Sequence, residues 1–208
     1  MSEPGRAHFP GLRHIWMLED PLSSRSFRAA YEIGDDRLFT LTGYNLAPPP
    51  SHMTRLRHGM GGAVPQDVVW PRSVMPPFVS DRVINLLQEF DITGWGSFPI
   101  EIRDKSGKIH TNYFRLVINA TPCGAIDWRR GRPLEQTGVP SGQIYRGGWF
   151  DAATWDGSDI FRSVHGGWIL VVERVQDLFA SARISNVKFT RITEFEMPEI
   201  ILASLQDK

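Results

Sequence analysis

The chain contains two sixteen-residue segments that match each other at a separation of 92 positions. VSDRVINLLQEFDITG begins at Val79 and VVERVQDLFASARISN begins at Val171 (171 − 79 = 92). Five aligned pairs are identical and three are of the same kind: Val79/Val171, Arg82/Arg174, Val83/Val175, Leu86/Leu178, Ile92/Ile184, Asp81/Glu173, Asn85/Asp177 and Thr93/Ser185. Amphipathic helices between strands resemble one another, so convergence is the alternative. We favour an internal duplication, in which both segments form the same local structure.

Each segment has the pattern of a helix with one apolar side. In the first segment the apolar residues fall at i, i+3, i+4 and i+7: Val83, Leu86, Leu87 and Phe90. In the second segment the corresponding residues are Val175, Leu178, Phe179 and Ala182. We expect the first helix to span about 81–90, with Ser80 as its N-cap and Gly94 in a left-handed turn after it.

Short apolar or alternating stretches flank both helices and predict strands. They are HIWMLED (14–20), RLFTLTGYNL (37–46), DVVWP (67–71), SFPIEIRD (97–104), IHTNYFRLVINA (109–120), WILVV (168–172) and NVKFTRITEFE (186–196). The segment 47–66 is rich in proline and glycine and predicts an exposed loop. Because an apolar helix side needs a sheet to cover it, the sequence predicts an α+β fold with mostly antiparallel sheets and two amphipathic helices.

Composition narrows the classes of partner and compartment. The chain has 23 Lys and Arg against 23 Asp and Glu, a formal net charge of zero, which weighs against nucleic acid or an anionic membrane as the main partner. The single cysteine, Cys123, excludes an intramolecular disulfide and fits a reducing compartment. No secretory signal or membrane-spanning stretch is visible. We therefore expect a cytoplasmic protein.

No motif for catalysis, metal or cofactor binding stands out. The six histidines include no HExxH pair, GMGGA (59–63) matches no phosphate-binding pattern, and no GxSxG sequence is present. Cys123 could be a nucleophile only with a distant histidine, such as His110 or His165. The carboxylates Asp127, Glu135, Asp151, Asp156 and Asp159 could act as an acid–base pair, but nothing in their spacing requires it. The sequence predicts no catalytic residue, no metal and no cofactor.

The segment 121–158 is irregular and rich in tryptophan and arginine. Four of the seven tryptophans lie within 41 residues of one another: Trp128, Trp149, Trp155 and Trp168. Trp, Tyr and Arg dominate binding hot spots, although tryptophan also fills protein cores. The residues that we expect to contact a partner protein are Trp128, Arg129, Arg130, Tyr145, Arg146, Trp149, Trp155 and Asp156.

The order of several short motifs resembles a family. These are DVVWP, VSDRV, ITG and NYFRLVINA in the first half, then DIFR (159–162), WILVVERVQDLF and ISNVKF in the second. Over residues 67–195 the chain resembles bacterial immunity proteins of the myxobacterial type, which are small cytoplasmic partners of polymorphic secreted toxins. It departs from that pattern at Val172, where the family usually has a serine, and at Asn186, where glycine is usual.

This resemblance implies a function and a division of the chain. The function is to bind one cognate toxin domain and block it, without catalytic residues. The division is an N-terminal extension with strands and a Pro/Gly loop (1–66) followed by an immunity-like α+β domain (67–208), unless 1–208 is one continuous domain. Two alternatives remain open. One is an enzyme that reverses or degrades a toxin product through His110, His165 or the aspartates; the other is an accessory protein of a secretion apparatus.

Overall fold

The computed structural model describes residues 14–32, 55–71, 77–118, 122–134, 143–164, 168–199 and 201–202. The described residues form two α-helices and many short strands, most of them paired antiparallel, so the predicted α+β class is confirmed. The chain divides into two compact units. Unit 1 comprises Met1–Leu18, Pro122–Gln176 and Phe189–Lys208, and unit 2 comprises Glu19–Thr121 and Asp177–Lys188. Among the described residues, no helix is long and apolar enough to cross a membrane.

Unit 2 contains a closed barrel of six strands. They are β2 (Arg28–Tyr31), β3 (Arg55–Met60), β4 (Val68–Pro71), β5 (Phe78–Ser80), β6 (Trp95–Arg103) and β7 (Ile109–Ile118), in the spatial order β2-β3-β6-β7-β5-β4. Two of the pairings, β2–β4 and β3–β6, are parallel. Side chains fill the interior, and its core cluster consists of Phe27, Ala29, Tyr31, Leu56, Val69, Phe78, Ile100, Ile102 and Tyr113.

The prediction of a loop over 47–66 is wrong for β3. Arg55–Met60 pairs with β2 on one side and with β6 on the other, so its backbone groups are used in the barrel. Its composition misled the prediction because only Leu56 in it is buried. Residues 47–54, and the predicted strand 37–46, lie outside the described residues. The segment 1–66, predicted as an extension, contributes β2 and β3 to the barrel.

The other nine strands within the described ranges form three smaller sheets. They are β1 (Ile15–Glu19), β8 (Ala125–Asp127), β9 (Arg132–Leu134), β10 (Ile144–Arg146), β11 (Trp149–Asp151), β12 (Ile160–Arg162), β13 (Ile169–Val172), β14 (Lys188–Arg191) and β15 (Glu196–Pro198). Their orders are β12-β13-β1-β14, β15-β10-β9 and β11-β8. Two short 3-10 turns, Trp128–Arg130 and Ala152–Thr154, follow β8 and β11. The final predicted strand, 186–196, is interrupted by a turn between β14 and β15.

The two helices have the same length and begin 92 positions apart. Helix α1 spans Asp81–Glu89 and α2 spans Glu173–Ser181. Five residues of the predicted apolar sides are buried: Val83, Leu87, Val175, Leu178 and Phe179. Leu86 and Ala182 are half-buried, and Phe90, which lies just beyond α1, is 50 % exposed. Ser80 occupies the N-cap position, but its side chain makes no cap hydrogen bond; its hydroxyl donates to Asp67 Oδ1 at 3.3 Å instead. The sequence therefore predicted the helix and its N-cap residue, but not the partner of the Ser80 hydroxyl.

Both helices end in the same hydrogen-bonded motif. Asp91 and Arg183, two positions after the last helical residues, have positive φ angles of 47° and 53°. In the first segment Asp91 N donates to Gln88 O and Ile92 N donates to Leu87 O. The same two bonds recur 92 positions later, from Arg183 N to Ala180 O and from Ile184 N to Phe179 O. This is the Schellman arrangement, in which a left-handed residue satisfies the last helical carbonyls.

The turns after these motifs also match. Gly94 has a φ of 91°, and Asn186, at the corresponding position, has a φ of 63°. Asparagine tolerates this conformation better than most residues other than glycine. The positive φ predicted after each helix is present at Gly94 and Asn186. The left-handed residue of the Schellman motif, however, is Asp91 after α1 and Arg183 after α2.

The strand pair that precedes α1 and the strand pair that precedes α2 have the same register. Val68 of β4 lies opposite Val79 of β5, and Ile160 of β12 lies opposite Val171 of β13, which are the positions 92 residues further on. An aspartate precedes each pair and binds the first-turn arginine of the helix. Asp67 Oδ2 accepts from Arg82 Nη1 at 3.1 Å, and Asp159 Oδ1 accepts from Arg174 Nε at 2.6 Å. The likeness thus extends from residue 67 to 94 and from 159 to 186.

Candidate functional site

An exposed sheet face in unit 1 brings several of the predicted contact residues together. Strands β8 and β11 pair antiparallel, with Trp149 opposite Asp127 and Asp151 opposite Ala125. Because side chains alternate along a strand, the residues between them point to the other side. Ile126 and Phe150 are accordingly buried. We call the outward side of this two-stranded sheet the β8–β11 face.

Each strand of the face ends in an aspartate that caps a 3-10 turn. Asp127 Oδ1 accepts a hydrogen bond from Arg129 N at 3.0 Å, and Asp151 Oδ1 accepts one from Ala153 N at 3.0 Å. A short polar side chain in this position satisfies a backbone N–H that would otherwise lack a partner. The Asp127 cap turns the chain so that Arg129 and Arg130 leave the end of β8 beside Trp149.

Thr154 ties the second turn back to the first strand. Its hydroxyl donates to Asp151 O at 2.7 Å and accepts from Ala125 N, also at 2.7 Å. The end of β11 is therefore fastened to the beginning of β8. These hydrogen bonds fix the backbone of the face, although its strands and turns are only three residues long.

Arg130 stacks on Trp149 in the middle of the face. The guanidinium carbon of Arg130 lies 4.0 Å from the centroid of the Trp149 ring. Trp149 is 44 % exposed, which is unusual for a residue of this size in a folded chain. A cation–π contact at an exposed site contributes about 0.5–1 kcal/mol, which favours the stacked arrangement of the two side chains.

The surface of this face forms an open depression of about 710 Å³. Its lining consists of Ala125, Ile126, Asp127, Arg129, Arg130, Trp149 and Asp151. The two arginines and two aspartates give the face charges of both signs around one aromatic ring. Such an arrangement suits a polar protein surface better than a small ligand, because it is shallow and its carboxylates already cap the turns.

Trp128 supports the face from inside. It is 3 % exposed and packs edge-to-face on Trp168, with ring centroids 5.5 Å apart. Gly148 passes so close that an added Cβ would lie 2.3 Å from Ile126 Cγ2 and 2.8 Å from Trp128 Cε3. The structure thus places Trp128 in the core of unit 1, while its neighbours Arg129 and Arg130 lie on the surface.

The remaining predicted contact residues lie on other elements and do not line the face. Tyr145 and Arg146 belong to β10, where Arg146 forms an ion pair with Glu196. Trp155 Nε1 donates to Ser158 O at 3.0 Å. Asp156 accepts from Ser158 N at 2.9 Å. Of the eight predicted residues, the face brings together Arg129, Arg130 and Trp149.

Sequence reasoning did not assign Asp127 and Asp151 to the partner surface. The sequence offers both only as acid–base candidates, together with Glu135, which lies outside the described residues. The only signal in the sequence is the general preference of aspartate for turn and cap positions. What the sequence does not show is that the two caps lie on paired strands.

The residues of the enzymatic alternative have structural partners. His110 Nε2 lies 3.0 Å from Asp104 Oδ2 in the turn between β6 and β7. Asp104 also accepts from Ser106 Oγ at 2.6 Å. The Ser106 and His110 hydrogen bonds outweigh burial and hold the pKa of Asp104 well below 3.8. His165 lies outside the described residues.

Cys123 is a buried thiol. Burial raises its pKa to about 11, although a hydrogen bond involving Asp156 opposes part of that effect. A thiol with this pKa is almost fully protonated at neutral pH and is a poor nucleophile. Among the described residues, no group of three or more His, Cys, Asp or Glu side chains could hold a metal ion.

A second depression, of about 340 Å³, lies in unit 2 and is lined by Glu32, Arg55, Leu56, Glu101, Arg103 and Ile109. Its charged residues pair with one another, since Arg103 Nε donates to Glu32 Oε1 at 2.9 Å and Arg55 lies 3.5 Å from Glu101. Their charges are therefore locally balanced. The described residues that line this depression include no exposed aromatic ring of the kind found on the β8–β11 face.

The comparisons with known proteins give no family for the chain. No model of a known protein family matches it, and no curated protein matches it.

Proposed function

We propose that this protein is an immunity protein that binds and neutralises a cognate secreted bacterial toxin in the cytoplasm, and that the β8–β11 face lies at the centre of the contact. The observation that carries the proposal is the exposed Trp149 ring held under the Arg130 guanidinium. The order of motifs over residues 67–195 supports the choice of partner.

The composition of the face supports protein recognition. Trp and Arg are enriched among residues whose truncation costs a complex most of its affinity, because each buries a large area and keeps polar groups available. A typical interface covers about 800 Å² on each partner, so residues around the face would contribute as well. Arg129 and Asp127 flank Trp149 and would form part of the polar rim.

The rigidity of the face also favours binding. Backbone hydrogen bonds between β8 and β11, the two aspartate caps and the Thr154 bridge fix the positions of the contact residues before a partner arrives. A site that is ordered in advance loses less conformational entropy on association. Charges of both signs would select for a partner with complementary charges rather than for any acidic or basic protein.

Co-expression with the toxin encoded beside its gene tests this function. The wild-type chain should restore growth and co-purify with the toxin, whereas Trp149→Ala should lose both effects. Phe90→Ala is the matched control, because it removes an exposed aromatic ring in unit 2 and the corresponding position after α2 is already alanine, Ala182. Unrelieved killing by every neighbouring toxin candidate would contradict the proposal.

We also infer that the strand–helix–turn–strand segments are copies that arose by duplication. The support is the recurrence at one spacing of the strand register, the Asp–Arg pair and both Schellman hydrogen bonds. Convergence would need to reproduce each of these separately. The copied segment is scaffold in both places, since none of those of its residues that the structure describes lines the β8–β11 face.

A further inference from the structure

Strands β1 and β7 occupy the same place in two different sheets. Strand β7 pairs antiparallel with β5, with Phe114 opposite Val79. Strand β1 pairs antiparallel with β13, with Trp16 opposite Val171. Because Val79 and Val171 are a matched pair of the two segments, Trp16 corresponds to Phe114, at an offset of 98 (114 − 16 = 98).

The other edge of each strand gives the same correspondence. In the barrel, Ile100 of β6 lies opposite Tyr113 of β7. In the other sheet, Ile192 N donates to Ile15 O at 3.2 Å. Ile192 lies 92 positions after Ile100 (192 − 100 = 92), and Tyr113 lies 98 positions after Ile15 (113 − 15 = 98). Two independent edges therefore align β1 with β7.

Four of the six barrel strands correspond to the four strands of the sheet that contains β1, but one of the four comes from a different place in the chain. The run β4-β5-β7-β6 of the barrel corresponds to the sheet β12-β13-β1-β14. In the barrel, β7 lies between β5 and β6 and follows β6 in the chain through a short turn. In the sheet β12-β13-β1-β14, the strand β1 comes before all three other strands in the chain. A stretch of 140 residues separates β1 from β12 (160 − 19 − 1 = 140).

The strands that follow β1 and β7 extend the match. Strand β2 pairs antiparallel with β3, with Ala30 opposite Arg57, and β8 pairs antiparallel with β11, with Asp127 opposite Trp149. When β11 is aligned with β3 at the spacing of 92 (149 − 57 = 92), β8 follows β2 by 97 positions (127 − 30 = 97). The chain is thus a series from β1 to β6 followed by a similar series from β7 to β14, in which β9 and β10 are additional strands without a counterpart among the described residues of the first series.

We propose that the two series are copies that have exchanged their first strands, and that the slot between β13 and β14 is a strand-binding site that β1 fills. The strand β7, which opens the second series, lies in the sheet of the first, and β1, which opens the first, lies in the sheet of the second. The slot binds an extended segment through backbone hydrogen bonds on both edges, as in strand addition between proteins.

The side chains of β1 define what the slot accepts. Ile15, Met17 and Leu18 are buried, and all four residues of β13 beside them are buried as well. Trp16 is half-buried, with the Arg191 guanidinium 4.7 Å from its ring centroid. The occupant must therefore be an extended segment with apolar residues on both sides, a requirement that β1 meets and a polar peptide does not.

A cut between β1 and β2 in the full-length folded protein tests the slot. A protease site inserted after Leu22, which is 75 % exposed, allows residues 1–22 to be severed after folding. Hydrogen exchange then reports on the β13 amides, and a labelled peptide of residues 12–21 reports on entry into the slot. The control is the same site inserted between Ser106 and Gly107 in the exposed β6–β7 turn, where a cut leaves β7 attached to the chain.

Three results are expected. The β13 amides stay protected while the severed fragment is bound, lose at least tenfold of their protection when it is removed, and regain it when the 12–21 peptide is added. The peptide with Met17→Asp should not enter, and the control cut should leave β13 protected. Full protection of β13 after the fragment has left, or equal entry of the Met17→Asp peptide, would overturn the proposal.

Discussion

The Arg130 guanidinium carbon lies 4.0 Å from the centroid of the exposed Trp149 ring. If this stacked pair is the centre of the toxin contact, the planar guanidinium matters as well as its charge, because lysine cannot stack in the same way. We expect Arg130→Lys to weaken toxin binding about tenfold and Arg130→Ala to weaken it further. Titration calorimetry with the toxin measures both. Equal affinity of the wild type and Arg130→Ala would show that the pair is outside the contact.

Protection should not depend on His110. Its ring is hydrogen-bonded to Asp104, a carboxylate that also accepts from Ser106 and Lys108 and so holds the turn between β6 and β7. We expect His110→Gln to rescue growth as well as the wild type in co-expression, and His165→Ala to behave in the same way. Loss of protection with an intact toxin complex in either variant would favour the enzymatic alternative.

Cys123 should be unreactive in the folded protein. Burial raises the pKa of its thiol to about 11, so at pH 8 only a small fraction is thiolate and little of it is accessible. We expect the native protein to react with a thiol-specific disulfide reagent at least 100-fold more slowly than the urea-unfolded protein. Comparable rates in the two states would mean that the thiol is exposed and activated.

Acid should destabilise the protein partly through Asp104. The pKa of its carboxyl is lowered by hydrogen bonds from Ser106 first and from His110 next, so the folded state binds a proton less readily than the unfolded state. Its stabilising contribution is therefore present above about pH 4 and is lost as the pH falls below that value.

The variant Asp104→Asn isolates this effect. Its amide oxygen can accept the same backbone hydrogen bonds from Ser106 and Lys108, but it does not titrate. We expect the variant to melt at a lower temperature than the wild type at pH 7 and to lose less on going to pH 3. Thermal melts followed by circular dichroism at both pH values measure this. Equal losses in the two proteins would contradict the assignment.

The helices and their neighbouring strands were predictable because their signals are local. The apolar spacing of Val83, Leu86 and Leu87 predicts α1 without knowledge of the sheet that covers it. The strand β3 was not predictable, because Arg55–Met60 is mostly exposed and is a strand only through its pairing with β2 and β6. The exchange of β1 and β7 depends on pairings between residues far apart in the chain.

The sequence predicts which residue types the candidate site contains, but not which of those residues lie on the surface. Trp128 and Trp149 look equivalent in the sequence, yet the first lies in the core and the second on the surface. The difference arises because Trp149 is on the outward side of β11, while Trp128 begins the turn that folds back over Gly148. The pairing of β8 with β11 that sets these directions joins residues more than twenty positions apart.

The affinity of the Trp149→Ala variant for the purified toxin tests the central claim most directly. Truncation of a hot-spot tryptophan costs about 2 kcal/mol or more, which corresponds to a dissociation constant raised roughly 30-fold. We expect that loss for Trp149→Ala, with unchanged melting temperature, and wild-type affinity for the matched control Phe90→Ala. Wild-type affinity of a folded Trp149→Ala variant would contradict the claim that the β8–β11 face binds the toxin.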